Sequence, residues 1–339
     1  MSDLTSTTRL STWEELLNPR RDHVVLRDHL VRLIPTNNDI DDRIPILLTA
    51  RDWEILTAID LHGYLTLDLI DLAFFPSART DERPSTRAHH RLHQLWLWGI
   101  VERIERPVAR VIGGRRPFLY ALSQRGLRLL DERSSSHDAS PHRRRLDRTS
   151  ELFVEHSLTV AAVWANVLAL LRPRPITLGA WVAERDLRAR QLRVKDRAGG
   201  RWLPFLPDSY FELHYTSGRV QCCLLEVDLG THSLKAMHRK LGTFELFLAE
   251  GLFARTWKRD DFEVLIVAPS EQRLQNVLTV SRKSVKPDRW DAYLFTTLDV
   301  LQRSRFGEAE WRCLDGSTFG LLFADASEAT SGSRSLATP

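Results

Sequence analysis

Cysteine is scarce in this chain: three residues in 339, at positions 222, 223 and 313. That number and spacing exclude a disulfide framework and a zinc site of paired cysteines. Two adjacent cysteines inside an apolar run read as small core residues. Long uncharged runs are also missing, since no stretch offers the roughly 18 consecutive apolar residues of a membrane span. The first residues, MSDLTSTTRLSTWEELLNPRRDH, lack the apolar core of a secretion signal. These absences lead to the expectation of a reduced, cytoplasmic protein with no membrane partner.

Acidic charge is missing from one particular segment. Between Arg83 and Arg128 there are ten Arg, no Lys, no Asp and only Glu102 and Glu105, a local excess of eight positive charges. The whole chain is much more even, at +4 with a pI near 9.1. A concentrated basic segment points to a polyanion, because phosphate neutralisation releases counterions and drives non-specific DNA affinity. The plain alternative is a solvated Arg-rich surface.

What is present is well patterned. Residues 1–45 read as an N-terminal arm, with one helical stretch, TWEELLNPRRDHVVLRDHLVRLI. Residues 46–132 follow a compact order. TARDWEILTAIDLHG has Thr49 at the N-cap and Gly63 as its stop. LTLDLIDLAFFP is a second short helix, capped by Thr66. RPSTRAHHRLHQLWLWG is a third, with Pro84 near its first turn. Ala88, Leu92 and Leu95 form its buried stripe, leaving Arg87, His90, Arg91 and Gln94 on an opposing, outward face. Two strand-like runs, IVERIERPV and PFLYALS, flank a Gly113-Gly114 turn that carries Arg115 and Arg116. This is the order of a winged helix-turn-helix, with the third helix in the major groove and the two turn arginines on the backbone or minor groove.

Residues 133–149, RSSSHDASPHRRRLDRT, read as a basic linker, and 326–339 as a disordered tail. Between them, 150–325 read as a long helix, SELFVEHSLTVAAVWANVLALLR, then three strand-like runs: ITLGAWVAERDL, WLPFLPDSYFELHY and VQCCLLEVDL. A helix, the strand FEVLIVAP, a helix and the strand DAYLFTTLDVL complete the domain. The order α-β-β-β-α-β resembles the PD-(D/E)xK nuclease fold, so the expected class is α+β, a winged helix followed by a nuclease-like α/β domain.

In that fold one acid comes from the second strand and a pair from the third. Here LPDSYFEL supplies Asp208, and LLEVDLG supplies Glu226 and Asp228. A hairpin of adjacent strands would bring Asp208 beside Glu226, and period-two alternation puts Glu226 and Asp228 on one face. Such carboxylates could hold Mg²⁺ or Mn²⁺, so all three are candidate metal ligands and catalytic residues. The fold normally carries Lys where Asp228 stands. Lys240, or Lys235, on the following helix could reach back, a placement the fold is known to permit. Glu155 and Glu184 could add to the acids. His156, His232 and His238 fit surface or capping roles better than metal or base roles. The plain alternative for the acids is a cluster organised by Lys and Arg without turnover.

Several of these stretches together resemble the replication-relaxation family of plasmid- and mobile-element-associated bacterial proteins: LTARDWEILTAIDLHGYLTLDLIDLAFFP, RLHQLWLWGIVERI, GRRPFLYALSQRGLRLL, EHSLTVAAVW, LPDSYFEL and LLEVDLGTHSLKAMHRKL. The similarity runs from about Leu48 to Leu248. It implies a winged-helix DNA-binding domain and control of replication or maintenance of an extrachromosomal element, and it implies no established catalytic activity. The expectation is therefore a double-stranded DNA-binding protein, with a metal-dependent endonuclease as the alternative and homodimerisation left open.

Overall fold

The computed structural model describes residues 32–34, 47–75, 84–106, 117–133, 151–196, 199–230, 233–303 and 310–319. Residues 1–31 and 35–46, which take in most of the arm, the Gly113-Gly114 turn, Arg115, Arg116, His232, linker residues 134–149 and the tail lie outside them, and Arg133, expected to open the linker, ends a helix. The fold is mixed α+β.

The first unit starts with α1 (Ala50–His62), β2 (Leu65–Thr66), α2 (Leu67–Phe74) and α3 (Thr86–Leu97). Each helix begins where a hydroxyl side chain accepts an amide hydrogen bond: Thr49, Thr66 and Ser85. At Thr49 the arrangement is a full capping box, with Asp52 returning to the Thr49 amide at 2.6 Å. Strands β3 (Val101–Glu105) and β4 (Leu119–Leu122) follow, then α4 (Gln124–Arg133). With β1 (Arg32–Ile34) they form an antiparallel sheet in the order β1-β3-β4-β2. Arg32–Ile34 thus corrects the helical reading of the arm's end: its backbone pairs with β3. Ile55, Ile59, Leu65, Ile70, Leu92, Leu95 and Val101 fill the core between helices and sheet.

The second unit opens with α5 (Glu151–Leu171), β5 (Ile176–Ala183) and α6 (Glu184–Ala189). A small hairpin follows, β6 (Arg193–Lys195) with β7 (Trp202–Pro204), then β8 (Ser209–Tyr215) and β9 (Val220–Val227). The chain continues through α7 (Leu234–Ala249), α8 (Leu252–Trp257), β10 (Glu263–Ala268), α9 (Glu271–Ser284), β11 (Tyr293–Thr297), α10 (Leu298–Arg303), β12 (Trp311–Arg312) and β13 (Thr318–Phe319). Seven strands make one sheet in the order β13-β12-β11-β10-β9-β8-β5. Its centre, β9-β10-β11, is parallel, and both flanks are antiparallel.

Several runs end earlier than periodicity suggests. WLPFLPDSYFELHY is two strands, because Pro204 and Pro207 cannot donate to a ladder. ITLGAWVAERDL turns helical at Glu184, and DAYLFTTLDVL at Leu298.

One face of this sheet carries α7 and α9, the other α5. By length and composition Leu152–Leu171 could cross a membrane. It packs on two sides instead. Val160, Val163 and Val167 face the sheet, whereas Ala161, Trp164 and Ala165 enter the core of the first unit. Burial of roughly 1.5–3 kcal/mol per large apolar side chain makes α5 a shared wall between the units. Polar contacts reinforce the junction. Arg172 donates to the carbonyls of Leu72 and Ala73 at the end of α2, Arg185 donates to Asp60 O, and Arg106 pairs with Glu155.

Candidate functional site

The sheet brings Asp208 and Glu226 together for a simple reason. β8 and β9 are antiparallel with Ser209 opposite Leu225, so the residue before β8 lies beside the end of β9. The Asp208 amide donates to Leu225 O, and the Val227 amide donates to Asp208 Oδ2 at 2.7 Å. Glu226 points to the face covered by α7, from which Lys240 reaches back. Its Nζ donates to Glu226 Oε1 at 2.6 Å, lies 2.5 Å from Oε2, and stands 3.5 Å from Asp208 Oδ1. His156 Nε2, on α5, is 3.1 Å from Asp208 Oδ2. Lys235 is exposed.

Burial and charge set the protonation of this group. Burial alone would raise Asp208, but Lys240, His156 and the Val227 amide outweigh it and hold the carboxyl at about 2. Glu226 is pushed up to about 8, first by burial and then by the charge of Asp208. Burial would lower Lys240 and His156, and the neighbouring acids raise both. Two carboxylates therefore share one ammonium and one imidazole.

Asp228 belongs elsewhere. It accepts from Arg273 Nε at 2.7 Å and from the Gly230 amide at 2.8 Å. The three acids do not converge, because Arg273 on α9 claims the third. Glu155 pairs with Arg106 and Glu184 with Arg188; His238 bonds Ser284. Among the described residues no three His, Cys, Asp or Glu side chains are placed to hold a metal ion. A two-carboxylate fit remains. Both Glu226 oxygens lie against the Lys240 ammonium, at 2.6 and 2.5 Å, and hard oxygens suit Mg²⁺ or Mn²⁺. Lys240 is the cation that now faces this pair.

A cavity of about 120 Å³ adjoins Asp208 and His156 at the junction of the units. Its far wall is the end of α1, where burial and Arg185 hold His62 at about 3, a neutral imidazole. Burial of Tyr64 raises its phenol to about 12.

The second candidate surface is α3. Arg87 and His90 are exposed on it, while Ala88, Leu92 and Leu95 are fully buried. Arg91 does not point outward as expected. Its Nε and Nη2 grip the buried Asp52 carboxylate at 2.6 and 2.5 Å, Nη1 donates to Gln94 Oε1, and the guanidinium stacks over Trp98. Burial would raise Asp52; Arg91 and Thr49 more than reverse it and lower the carboxyl.

Sequence reasoning missed Arg273, though a cation in the first turn of a helix opposes the helix dipole and hints at a strong partner. It also missed the Glu212 cluster, in which Tyr210, His214 and Arg259 all bond one carboxylate. Tyr210, Glu212 and His214 alternate along β8, a period-two signal that was there to be read.

Comparison with curated proteins and with solved structures returned no match. A family model described as replication-relaxation matches residues 56–259, more than half of the chain, spanning α1 through α8 and including Asp208, Glu226 and Lys240. The family supports a role in the replication of mobile elements. The chain belongs to the replication-relaxation family.

Proposed function

We propose that this protein is a double-stranded DNA-binding protein that controls replication or maintenance of a mobile element. The first unit acts as a winged helix-turn-helix. The observation that carries this reading is α3, which buries Ala88, Leu92 and Leu95 and exposes Arg87 and His90 within a segment that has a local excess of eight positive charges. The succession of α1, β2, α2, α3, β3 and β4, with β2-β4-β3 antiparallel, supports it. Arg87 and His90 meet the major groove, Arg91 and Gln94 stiffen the helix that carries them, and Arg115 and Arg116 contact the DNA backbone or minor groove. The test is binding of labelled origin or promoter duplex from the host element. Arg87→Ala should cost ~1–3 kcal/mol if the contact is to a base edge, with relaxed sequence preference. Parental affinity and preference in the Arg87→Ala, His90→Ala protein would reject α3 as the reading element.

A second reading, a metal-dependent endonuclease, is favoured by the convergence of Asp208, Glu226 and Lys240. Asp208 and Glu226 would hold Mg²⁺ or Mn²⁺, which when bound supplies Lewis-acid activation of water and charge neutralisation at phosphate. Lys240 would hold a proton at the edge of the site. Plasmid nicking in Mg²⁺ or Mn²⁺ that disappears in Glu226→Ala, with duplex binding intact, would establish it over the binding-only reading.

A further inference from the structure

The β6–β7 hairpin of the second unit has two unlike faces. Val194 is buried and Leu203 half-buried, and both pack on the core beneath α7. The opposite face is exposed. Arg193 and Lys195 alternate on β6, and across the ladder Lys195 is paired with Trp202 and Arg193 with Pro204. Trp202 leaves 62% of its surface to solvent, an unusual exposure for so large a ring. Around it the described residues of 188–201 hold Arg188, Arg190, Arg193, Lys195 and Arg201 against one acid, Asp196. Arg188 is paired with Glu184, whereas Arg190, Arg193, Lys195 and Arg201 are exposed and form no ion pair among the described residues. A core-anchored strand pair thus presents a flat ring within an unneutralised basic surface.

We propose that this hairpin is a binding platform for single-stranded DNA. The inference deepens the nucleic-acid reading above but rests on a different surface. Cationic side chains track phosphates, and an exposed indole supplies a stacking face to a base. A duplex keeps its base faces stacked inside, so a protruding ring selects unpaired nucleotides. Arg188, which leads from α6 into the hairpin, also lines the cavity beside Asp208.

The experiment is fluorescence anisotropy of the full chain with labelled oligo(dT) and, separately, with duplex DNA, over a salt series. Trp202→Ala should weaken oligo(dT) binding by about tenfold or more, given the usual contribution of one stacked base. Trp202→Phe should retain most of it. Arg193→Gln with Lys195→Gln should weaken it too and flatten the salt slope by about 1.4, the single-strand value for two lost phosphate contacts. Duplex affinity should stay at the parental level in all three. These side chains project into solvent, so circular dichroism and the urea midpoint should not change. No oligo(dT) binding by the parent overturns the inference and leaves the duplex reading of α3 standing. Trp202→Ala binding like the parent overturns it as well. Equal loss on duplex and single strand assigns the face to duplex contact and rejects it. A fall in oligomeric state in the same variants makes the face a contact between copies and likewise rejects it.

Discussion

In the first unit one buried acid meets one arginine; in the second, two buried acids meet one lysine. Asp52 accepts two hydrogen bonds from Arg91 and two more from Thr49, so its oxygens are saturated. Asp208 and Glu226 divide one ammonium between them, with Lys240 Nζ 2.5 Å from Glu226 and 3.5 Å from Asp208. A guanidinium forks onto a single carboxylate and fixes it, whereas an ammonium is a point charge that two acids can share. The first arrangement ties α1 to α3 and leaves nothing over for chemistry. The second sets two buried carboxyl groups, of which Glu226 carries a proton near neutrality, against one ammonium and one imidazole, so its charge balance depends on how protons and cations are shared. A saturated pair acts as a strut, while an unsaturated one can take a ligand.

The largest effect that would sharpen this contrast comes from Lys240→Met. It leaves the buried Asp208 carboxylate beside the Glu226 carboxyl with His156 as their remaining basic neighbour, and removing one partner of a buried ion pair typically costs about 3–5 kcal/mol. Urea denaturation at pH 7 should show a loss in that range. The loss should shrink toward pH 4, where protons can replace the ammonium. Millimolar Mn²⁺ should raise the midpoint of the variant more than that of the parent, since the cation facing the pair is gone. A variant as stable as the parent at pH 7 would show that Lys240 is not what neutralises the acids.

Arg91→Ala should have a smaller effect, of about 1.5–3 kcal/mol, typical of lost hydrogen bonds to a charged group. Asp52 keeps both bonds to Thr49. The comparison with Arg87 is informative. Below its melting range, Arg91→Ala should hold duplex DNA close to parental affinity, while Arg87→Ala should lose affinity with a stability change within about 0.5 kcal/mol. A stable Arg91→Ala protein with lost affinity would break the distinction between strut and contact.

These two sites also mark where sequence reading succeeds and where it stops. The hairpin that sets Asp208 beside Glu226 follows from strand spacing and alternation, both local properties. So do the Thr49 and Thr66 caps and the buried stripe of Ala88, Leu92 and Leu95. The partner of Arg91 lies 39 residues away on another helix, and that of Asp228 lies 45 away, beyond a helix–strand unit. A helical wheel places Arg91 opposite the core stripe but says nothing of a neighbouring helix supplying Asp52. The long helix α5 is legible, but the same limit hides its second packing face, where the small residues Ala161 and Ala165 beside Trp164 serve another core. The β6–β7 hairpin escapes notice because Pro204 and Pro207 interrupt an apolar run that otherwise reads as one strand.

The smallest expected effect is a slope. Glu226 titrates near 8 in the fold, above its ordinary 4.5, so folding takes up a proton there. The stability linked to that proton is fully present below pH 4.5 and is lost as pH rises through about 8. Asp208 runs the other way: held at about 2 from an ordinary 3.8, it contributes above pH 3.8 and fades as pH falls toward 2. Between pH 5 and 9 Asp208 is therefore silent and Glu226 titrates, while His156, which burial would lower, is raised above its ordinary value by Asp208 and the other acids. Glu226→Gln separates them, because the amide stands in for the protonated acid and leaves the His156–Asp208 contact in place. Urea midpoints at pH 5, 7 and 9 should shift progressively in favour of the variant, by no more than about 1.4 kcal/mol per pH unit, the limit for one proton. The whole difference should accrue by pH 9 and then level off. Parallel profiles for Glu226→Gln and the parent would mean that Lys240 already satisfies Glu226 as fully as Arg91 satisfies Asp52, and the contrast between the two units would fail.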